Sequence, residues 1–202
     1  TPSCVCQVRV TVYGSHFAHD FADAAGFGWT VGEASLDWGA LVAAKDREID
    51  RLNGVYKRLL RDSGVTVLEA RGKIVDPHTV EVGGKRYTAK YILVATGGRP
   101  QKPAVPGAHL GITSNEALDL KALPRRVVIV GGGYIGVEFA GIFNAAGAKV
   151  TMLIRGDAVL RGFDGDVRSA LTSEMKKSGI EIKCESFARD IEARGDALSV
   201  LT

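Results

Sequence analysis

A glycine-rich stretch in the second half of the chain has the residue types and spacing to bind phosphate. Residues 131–136 read Gly-Gly-Gly-Tyr-Ile-Gly, follow an apolar β-branched run and precede a helical pattern. The pattern G-x-G-x-x-G needs this context for dinucleotide binding. Gly131 then permits a tight turn, Gly133 lets the backbone approach a pyrophosphate, and Gly136 lets the helix pack closely on the strand. The first amide groups of the helix receive the phosphates, and a purely structural glycine turn is the alternative.

Two arginines after the next predicted strand bear on which nucleotide binds. An acidic side chain at the end of this strand would accept hydrogen bonds from a ribose 2′-hydroxyl, whereas a cation there pairs with a 2′-phosphate. The sequence has Arg155 at this place, and Arg161 follows six residues later. Two guanidinium groups can clamp one dianionic phosphate, so the pair favours NADP over NAD. Either arginine taken singly would be a solvated surface charge.

Two further side chains near these motifs have more than one interpretation. Glu138 follows Gly136 by two residues, and a carboxylate in the first helical turn is favoured by the helix dipole whatever the function. A role in the nucleotide site is the other interpretation of Glu138. Cys184 ends a predicted strand, where a buried structural thiol is expected.

The elements that must position these residues alternate between strands and helices. We predict strands at 127–130, 149–154 and 180–183 and helices at 134–146 and 164–178. Such alternation indicates an α/β fold, with a parallel sheet and crossover helices. The run 191–201 indicates the start of an antiparallel addition, and we expect the chain to be truncated there.

The first half of the chain predicts a helix followed by short strands. Ser35 can cap a helix over residues 36–63, which Gly64 ends. Gly83 and Gly84 predict a hairpin turn. The β-rich runs lie at 65–68, 79–82, 86–88 and 91–95. Four of the six prolines fall between residues 99 and 124, which predicts a linker or a crossing between two lobes.

Composition excludes several classes of partner. With 46% hydrophobic residues, 24% charged residues and a mean hydropathy of +0.06, the chain has the balance of a soluble globular protein. A net charge of +3 without a basic cluster argues against nucleic acid. The apolar stretch 127–150 contains Glu138, Asn144 and six glycines, which argues against a membrane span. Three cysteines and no leader at the start of the chain predict a cytoplasmic location.

Four stretches together resemble a known family in their order and spacing. The stretches are Ala95-Thr96-Gly97-Gly98-Arg99-Pro100, Gly111-Ile112-Thr113-Ser114-Asn115-Glu116, residues 131–136 and residues 154–161. With these stretches the sequence resembles the glutathione-reductase-like flavoprotein disulfide reductases, within the pyridine-nucleotide disulfide oxidoreductases, over nearly all of residues 13–202. The arginine pair points away from the similar lipoamide dehydrogenases, which carry an acidic residue at the strand end.

The resemblance implies cofactors, a reaction and roles for individual residues. Tyr134 would be the gate that shields the flavin until nicotinamide enters, Thr96 and Gly97 would lie beside FAD, and the backbone of Ile74 would lie near its adenosine part. Hydride would pass from NADPH to the flavin, and electrons would then pass to a protein disulfide and to oxidised glutathione. The implied NADPH contacts are Gly132, Ile135, Glu138, Arg155 and Arg161.

The resemblance also implies a domain division. Residues 1–98 would be part of an FAD-binding α/β domain, residues 99–124 a linker, and residues 125–202 a C-terminally truncated, Rossmann-like βαβ NADPH-binding domain. The family's catalytic histidine and dimer interface lie in a further domain, so a homodimer is implied for the parent protein. We therefore assign no catalytic residue and no metal site to this chain.

The sequence departs from the family at three places, one of which is the expected absence of the domain that carries the catalytic histidine, and these departures keep three hypotheses open. The family has a first G-x-G-x-x-G for FAD and a redox pair C-x-x-x-x-C, whereas nothing before Tyr13 supplies the former, and Cys4 and Cys6 are separated by one residue. The chain can represent a disulfide reductase acting on glutathione or a truncated fragment that binds nucleotide without catalysis. A third hypothesis is another NADPH-dependent reductase of the family, such as a trypanothione or mercuric reductase.

Overall fold

A computed structural model describes residues 4–202, with side chains described from Cys6 onward. The chain forms two compact units, of which the first comprises the described part of Thr1–Ile49 together with Pro100–Thr202 and the second comprises Asp50–Arg99. Helices and parallel strands alternate in the first unit, which confirms the predicted α/β class. The division at residues 98 and 124 stays a prediction.

The secondary structure comprises five α-helices and eight strands within the described residues. Two short 3₁₀ helices lie at Ala25–Phe27 and Ala108–Leu110. The helices are α1 (Cys4–Ala24), α2 (Trp38–Asp62), α3 (Ser114–Ala117), α4 (Tyr134–Ala145) and α5 (Gly165–Lys177). The strands are β1 (Gly72–Asp76), β2 (Thr79–Val82), β3 (Lys85–Thr88), β4 (Arg126–Val130), β5 (Lys149–Leu153), β6 (Glu181–Lys183), β7 (Asp190–Arg194) and β8 (Ala197–Leu201).

A parallel sheet in the order β4-β5-β6 forms the centre of the first unit. Its crossover connections are α4 and α5, so the predicted strand-helix alternation is confirmed to within two residues at most ends. Val150 and Met152 on one face of β5 are fully buried, as are side chains on the inner face of α4, and Leu153 on the other face of β5 is also buried. Burial on both faces is typical of the middle strand of a parallel sheet and explains the apolar composition of this stretch.

Helix α1 is an element to which the sequence analysis assigned no structure. Its β-branched residues alternate as in a strand, yet Val8, Thr11 and Ser15 are buried at helical spacing. The Thr11 hydroxyl donates to the carbonyl of Val8 at 2.9 Å, which satisfies this buried polar group inside the helix. Helix α1 packs against α4, so tertiary packing overrides the local β propensity.

Helix α2 confirms the helix predicted over residues 36–63, but the predicted cap is wrong, because Asp37 rather than Ser35 accepts a hydrogen bond from the Ala40 amide, at 2.9 Å. The Trp38 ring stacks on Phe143 at 5.7 Å, and its indole N–H donates to the carbonyl of Leu120 at 2.8 Å. Further along α2, the buried ammonium of Lys45 donates to Asp119 at 2.7 Å. These contacts fasten the first turns of α2 to α4 and to the segment after α3.

The second unit contains a three-stranded antiparallel sheet in the order β1-β2-β3. The predicted strands at 79–82 and 86–88 are confirmed, as is the hairpin at Gly83 and Gly84, both of which have positive φ angles of 56° and 78°. Strand β1 was not predicted. Asp76 accepts a hydrogen bond from the His78 amide at 2.8 Å and thereby shapes the turn between β1 and β2.

The predicted strands at 65–68 and 91–95 are wrong, because both runs lack regular secondary structure. A strand needs a neighbour that accepts and donates its backbone hydrogen bonds. Within residues 4–202, no strand pairs with either run, and Leu93 is 91% exposed. Apolar, β-branched composition therefore does not produce a strand at these places.

The segment 99–124 is an irregular connection that contains the short helix α3. Thr113 caps this helix, and its backbone N–H donates to the Glu116 carboxylate at 2.7 Å, which completes a capping box. Strands β7 and β8 pair in antiparallel fashion and confirm the addition predicted at 191–201. No helix in the described part of the chain is long and apolar enough to cross a membrane.

Candidate nucleotide-binding site

Two loops meet at the carboxyl edge of the parallel sheet. The glycine turn, residues 131–133, follows β4, and the arginine loop, residues 154–161, follows β5. The Gly131 N–H donates to the carbonyl of Leu153 at 2.9 Å, and the Leu160 N–H donates to the carbonyl of Gly132 at 2.7 Å. The two predicted motifs are thus held together by backbone hydrogen bonds, although 24 residues separate Gly131 from Arg155.

Gly131 and Gly136 have the steric roles that the sequence predicts for them. Gly131 has a φ angle of 119°, which a residue with a side chain rarely adopts. A Cβ on Gly136 would lie 2.9 Å from the carbonyl oxygen of Gly131 and 3.4 Å from Ile129 on β4. The start of α4 can approach the turn and the strand this closely only because residue 136 has no side chain.

Gly132 has a steric role that the sequence did not reveal. A Cβ at this residue would lie 2.8 Å from the Cγ2 atom of Ile154 and 3.5 Å from the Cα atom of Val159. Both neighbours belong to the arginine loop. A glycine at 132 therefore lets the two loops touch, a requirement that sequence spacing alone does not show.

Gly133 leaves open space beside the first turn of α4. It is the N-cap residue with ordinary φ and ψ angles of −75° and 170°, and no described residue other than its chain neighbours has an atom within 4 Å of where its Cβ would be. Among the described residues, no hydrogen bond occupies the amides of residues 132–136. Amides left unpaired at a helix start carry partial positive charge and point toward an incoming anion.

The arginine loop carries Arg155 and Arg161 with both side chains exposed to solvent. Ile154 and Val159 anchor the loop in the core, and the Val159 N–H donates to the buried hydroxyl of Thr172 on α5 at 3.2 Å. Asp157 lies between the arginines, and its hydrogen bond with Arg168 holds the pKa of that carboxyl below its ordinary value of 3.8. The loop thus offers two exposed cations and one carboxylate that is paired with Arg168 on α5.

The predicted contacts on α4 lie along its exposed side. Tyr134 is 58% exposed and begins the helix, Ile135 is 38% exposed, and Glu138 is exposed one turn later. A side chain at position 134 is therefore accessible, as a gate residue requires. The contacts of these residues with NADPH stay predictions.

The residues expected beside FAD belong to the second unit. Ile74 lies on β1, and Thr96 and Gly97 lie in an exposed irregular segment, where Gly97 has a φ angle of 73°. They belong to a different unit from the glycine turn and the arginine loop. Their roles beside FAD also stay predictions.

The cysteines have different structural settings. Cys6 is half-buried on α1, and the side chain of Cys4 lies outside the described residues, as does any pairing that involves it. Cys184 is half-buried rather than buried, and its Sγ atom lies 3.0 Å from the Asp157 carbonyl oxygen, to which the thiol donates. The expected structural thiol thus contacts the arginine loop, a contact that no local sequence pattern indicates.

Comparison with known proteins finds relatives that are disulfide reductases. The family model for pyridine nucleotide-disulphide oxidoreductase matches residues 8–202. The chain is 45% identical over 192 residues to the glutathione reductase of Nostoc sp., covering 95% of this chain and 42% of that protein. It is 49% identical over 196 residues to the chloroplastic/mitochondrial glutathione reductase of Pisum sativum, covering 96% of this chain and 36% of that protein.

A solved structure shares the fold of this chain. The copper(II) complex of the HOCl-induced flavoprotein disulfide reductase RclA from Escherichia coli superposes with a TM-score of 0.80 at 23% identity, over 98% of this chain and 43% of that one. This likeness concerns the fold. The chain spans about two fifths of the length of the curated relatives that it matches.

Proposed function

The chain belongs to the pyridine nucleotide-disulphide oxidoreductase family, and we propose that it forms the NADPH-binding part of a glutathione-disulfide reductase. One observation carries the nucleotide assignment: the loop that bears Arg155 and Arg161 is bonded to the glycine turn through Gly132 and Leu160. The identities of 45% and 49% to glutathione reductases support the choice of substrate.

The two loops divide the recognition of NADPH between them. The pyrophosphate binds beside Gly133, where the amides of residues 132–136 supply hydrogen-bond donors and the missing side chain leaves room. Arg155 and Arg161 pair with the ribose 2′-phosphate, which NADH lacks. Tyr134, Ile135 and Glu138 then line the path of the nucleotide along α4, with Tyr134 as the gate.

The second unit supplies part of the site for FAD in this proposal. Gly97 and Thr96 are exposed, and apart from its chain neighbours no residue that the structure describes lies within 4 Å of a Cβ at Gly97, so the backbone there is open to a ligand. The backbone of Ile74 lies near the adenosine part. When bound, the flavin accepts hydride from NADPH and passes the electrons to a protein disulfide, which reduces oxidised glutathione. The parent protein is a homodimer, and its place is a reducing compartment such as the cytoplasm.

The 202-residue chain itself is expected to bind NADPH without oxidising it. Its cysteines stand at positions 4, 6 and 184, so these residues contain no pair with the C-x-x-x-x-C spacing. Turnover of oxidised glutathione by this chain would contradict this expectation.

The charge reversal Arg155→Glu tests the nucleotide assignment. It should weaken NADPH binding on the order of 1 to 3 kcal/mol and leave NADH binding nearly unchanged, because the 2′-phosphate distinguishes the two. Titration calorimetry of the full chain with each nucleotide measures both affinities. Arg126→Glu is the matched control, since Arg126 is exposed at the amino end of β4, away from the loops. Equal losses for both nucleotides in Arg155→Glu would overturn the assignment.

A further inference from the structure

An acidic residue lies between the two arginines that the proposed function assigns to the 2′-phosphate. Asp157 is 85% exposed, two residues after Arg155 and four before Arg161. A carboxylate on such a loop repels a dianionic phosphate and can accept a hydrogen bond from a ribose hydroxyl. Left unpaired, Asp157 would favour NADH at a site otherwise built for NADPH.

Arg168 on α5 holds this carboxylate. Its Nη2 atom donates to Oδ1 of Asp157 at 2.9 Å. The Arg168 side chain is only 23% exposed, whereas ordinary surface arginines are free to sample many rotamers. The Arg168 side chain is therefore the more restricted partner of the ion pair, and it turns the Asp157 carboxylate toward α5.

The same guanidinium group also fixes the backbone of the arginine loop. Its Nε atom donates to the carbonyl of Val159 at 3.1 Å, and Nη2 lies 3.4 Å from the carbonyl oxygen of Ala158. Arg168 thus contacts three consecutive residues in the middle of the loop. A planar fork with several donors suits this role, whereas a lysine offers one ammonium group on a flexible stem.

Further hydrogen bonds hold the backbone at both ends of the segment 157–159, which Arg168 contacts. Thr172 accepts a hydrogen bond from the Val159 N–H, and the Cys184 thiol donates to the Asp157 carbonyl. Leu160 has a φ angle of 55°, a left-handed conformation that its own side chain disfavours. Such a backbone persists when surrounding contacts over-determine it, and Arg168 supplies several of these contacts.

We propose that Arg168 is a positioning residue for nucleotide preference, which keeps Asp157 away from the 2′-phosphate and holds Arg155 and Arg161 on a fixed loop. The inference rests on the proposed NADPH site and assigns Arg168 no contact with the nucleotide. It adds a determinant that lies on α5, outside both motifs. Loss of Arg168 should not weaken NADH binding, since NADH makes no use of the arginine pair.

The test compares NADPH and NADH affinities of the full 202-residue chain by titration calorimetry. Arg168→Ala should weaken NADPH about tenfold and NADH less than about twofold. Arg168→Lys keeps the charge but not the fork and should weaken NADPH about threefold. Asp157→Asn should stay within about twofold of the wild type, because it removes the repelling charge together with the ion pair.

The double variant Arg168→Ala/Asp157→Asn separates two effects of Arg168, which are the restraint of the Asp157 carboxylate and the fixing of the arginine loop. It should bind NADPH about threefold more tightly than Arg168→Ala alone, since no carboxylate is then released toward the phosphate. Lys177→Ala is the matched control, because Lys177 is an exposed cation on the same helix with a partner of its own, Glu174. It should leave both affinities unchanged. Thermal melts of each variant show whether the fold is intact.

The outcomes distinguish this inference from the proposed function. The positioning role is overturned if Arg168→Ala and Arg168→Lys lower the affinities for NADPH and NADH equally, or lower neither. The NADPH site stands in that case, provided that Arg155→Glu still weakens NADPH more than NADH. If the wild type binds both nucleotides alike, the proposed function fails and takes the inference with it. Should Arg168→Ala not fold, a selective loss of NADPH in Arg168→Lys supports the role, and an equal loss overturns it.

Discussion

At the scale of single residues, alanine substitutions at two glycines of the phosphate-binding motif should have different effects, one on nucleotide affinity and the other on the stability of the fold. Gly133→Ala places a Cβ in open space at ordinary φ, so stability should not change. The same methyl group occupies the proposed pyrophosphate position, and both NADPH and NADH should bind about tenfold or more weakly. Gly136→Ala should instead lower the free energy of unfolding by about 1–3 kcal/mol, because its Cβ meets the Gly131 carbonyl oxygen at 2.9 Å. Calorimetric titrations and urea unfolding measure the two effects.

Gly141→Ala provides the control for these glycine substitutions. Gly141 lies within α4, and within the described part of the chain nothing beyond the neighbouring helix backbone lies within 4 Å of a Cβ placed there. Alanine should stabilise the helix by about 0.5–1 kcal/mol and leave nucleotide affinity unchanged. A loss of stability in Gly133→Ala as large as that in Gly136→Ala would contradict the separate roles.

The sequence predicts the roles of residues that belong to one local motif. It does not predict the roles of residues that depend on contacts with residues distant along the chain. The steric roles of Gly131 and Gly136 can be predicted from one motif, because the turn and the helix that they shape are adjacent in the chain. Gly132 is required because Ile154 and Val159 touch it, and neither is local to the motif. Arg168 acts on Asp157, 11 residues earlier, through a loop conformation that no pattern specifies.

At the scale of secondary-structure elements, the sequence predicts the helices and strands whose packing or pairing partners lie close to them along the chain. The βαβ units are confirmed because each strand pairs with the next one along the chain. The runs 65–68 and 91–95 have strand composition but no pairing strand among the described residues. Helix α1 was missed for the opposite reason, since its helical burial depends on α4, which lies more than a hundred residues later.

The start of α5 depends on the cap at Asp164, next to the arginine loop. The Asp164 carboxylate accepts hydrogen bonds from the N–H groups of Asp166 at 3.0 Å and Val167 at 3.3 Å. Asp164→Ala should lower the free energy of unfolding by about 1 kcal/mol, because the first amides of the helix lose their acceptor. Asp164→Asn keeps a capping oxygen and should cost only a few tenths of a kcal/mol. Equal losses in urea unfolding of the two variants would argue against a capping role.

The buried ammonium of Lys45 links α2 to the segment after α3 in a pH-dependent way. Burial lowers the pKa of Lys45, but its bonds to Asp119 and Asp46 outweigh this, and the pKa is raised above its ordinary value of 10.5. The charge therefore contributes stability that is fully present below the ordinary pKa of 10.5 and is lost as pH rises through the raised pKa of the folded state.

Lys45→Met tests this link while it keeps most of the buried volume. The wild type should be more stable by about 1 kcal/mol at pH 7, a modest figure because both carboxylates are exposed to solvent. The difference should stay constant from about pH 6 to 9 and shrink above about pH 10.5. Urea unfolding across this range measures it. A difference that grows above pH 10 would show that the charge does not stabilise the fold.

At the scale of the whole molecule, buried side chains are distributed unevenly between the two units. Every buried hydrophobic side chain among the described residues belongs to the first unit, and Thr79 is the one buried residue of the second. Hydrophobic burial supplies most of the stability of a folded domain. The first unit therefore has a core of its own, whereas the second is held by the backbone hydrogen bonds of β1, β2 and β3.

This asymmetry predicts two levels of hydrogen-exchange protection. Amides of β2 should exchange at least about 100-fold faster than amides of β5, because local opening of the second unit exposes little apolar surface. NADPH at about 100 times its Kd should add about 2.7 kcal/mol of protection in β5 and α4 and none in β2, because the proposed site lies in the first unit. Exchange measured by mass spectrometry with and without NADPH gives both quantities. Equal protection of β2 and β5 would contradict the two-level expectation, and added protection confined to β2 would place the nucleotide elsewhere than at the glycine turn.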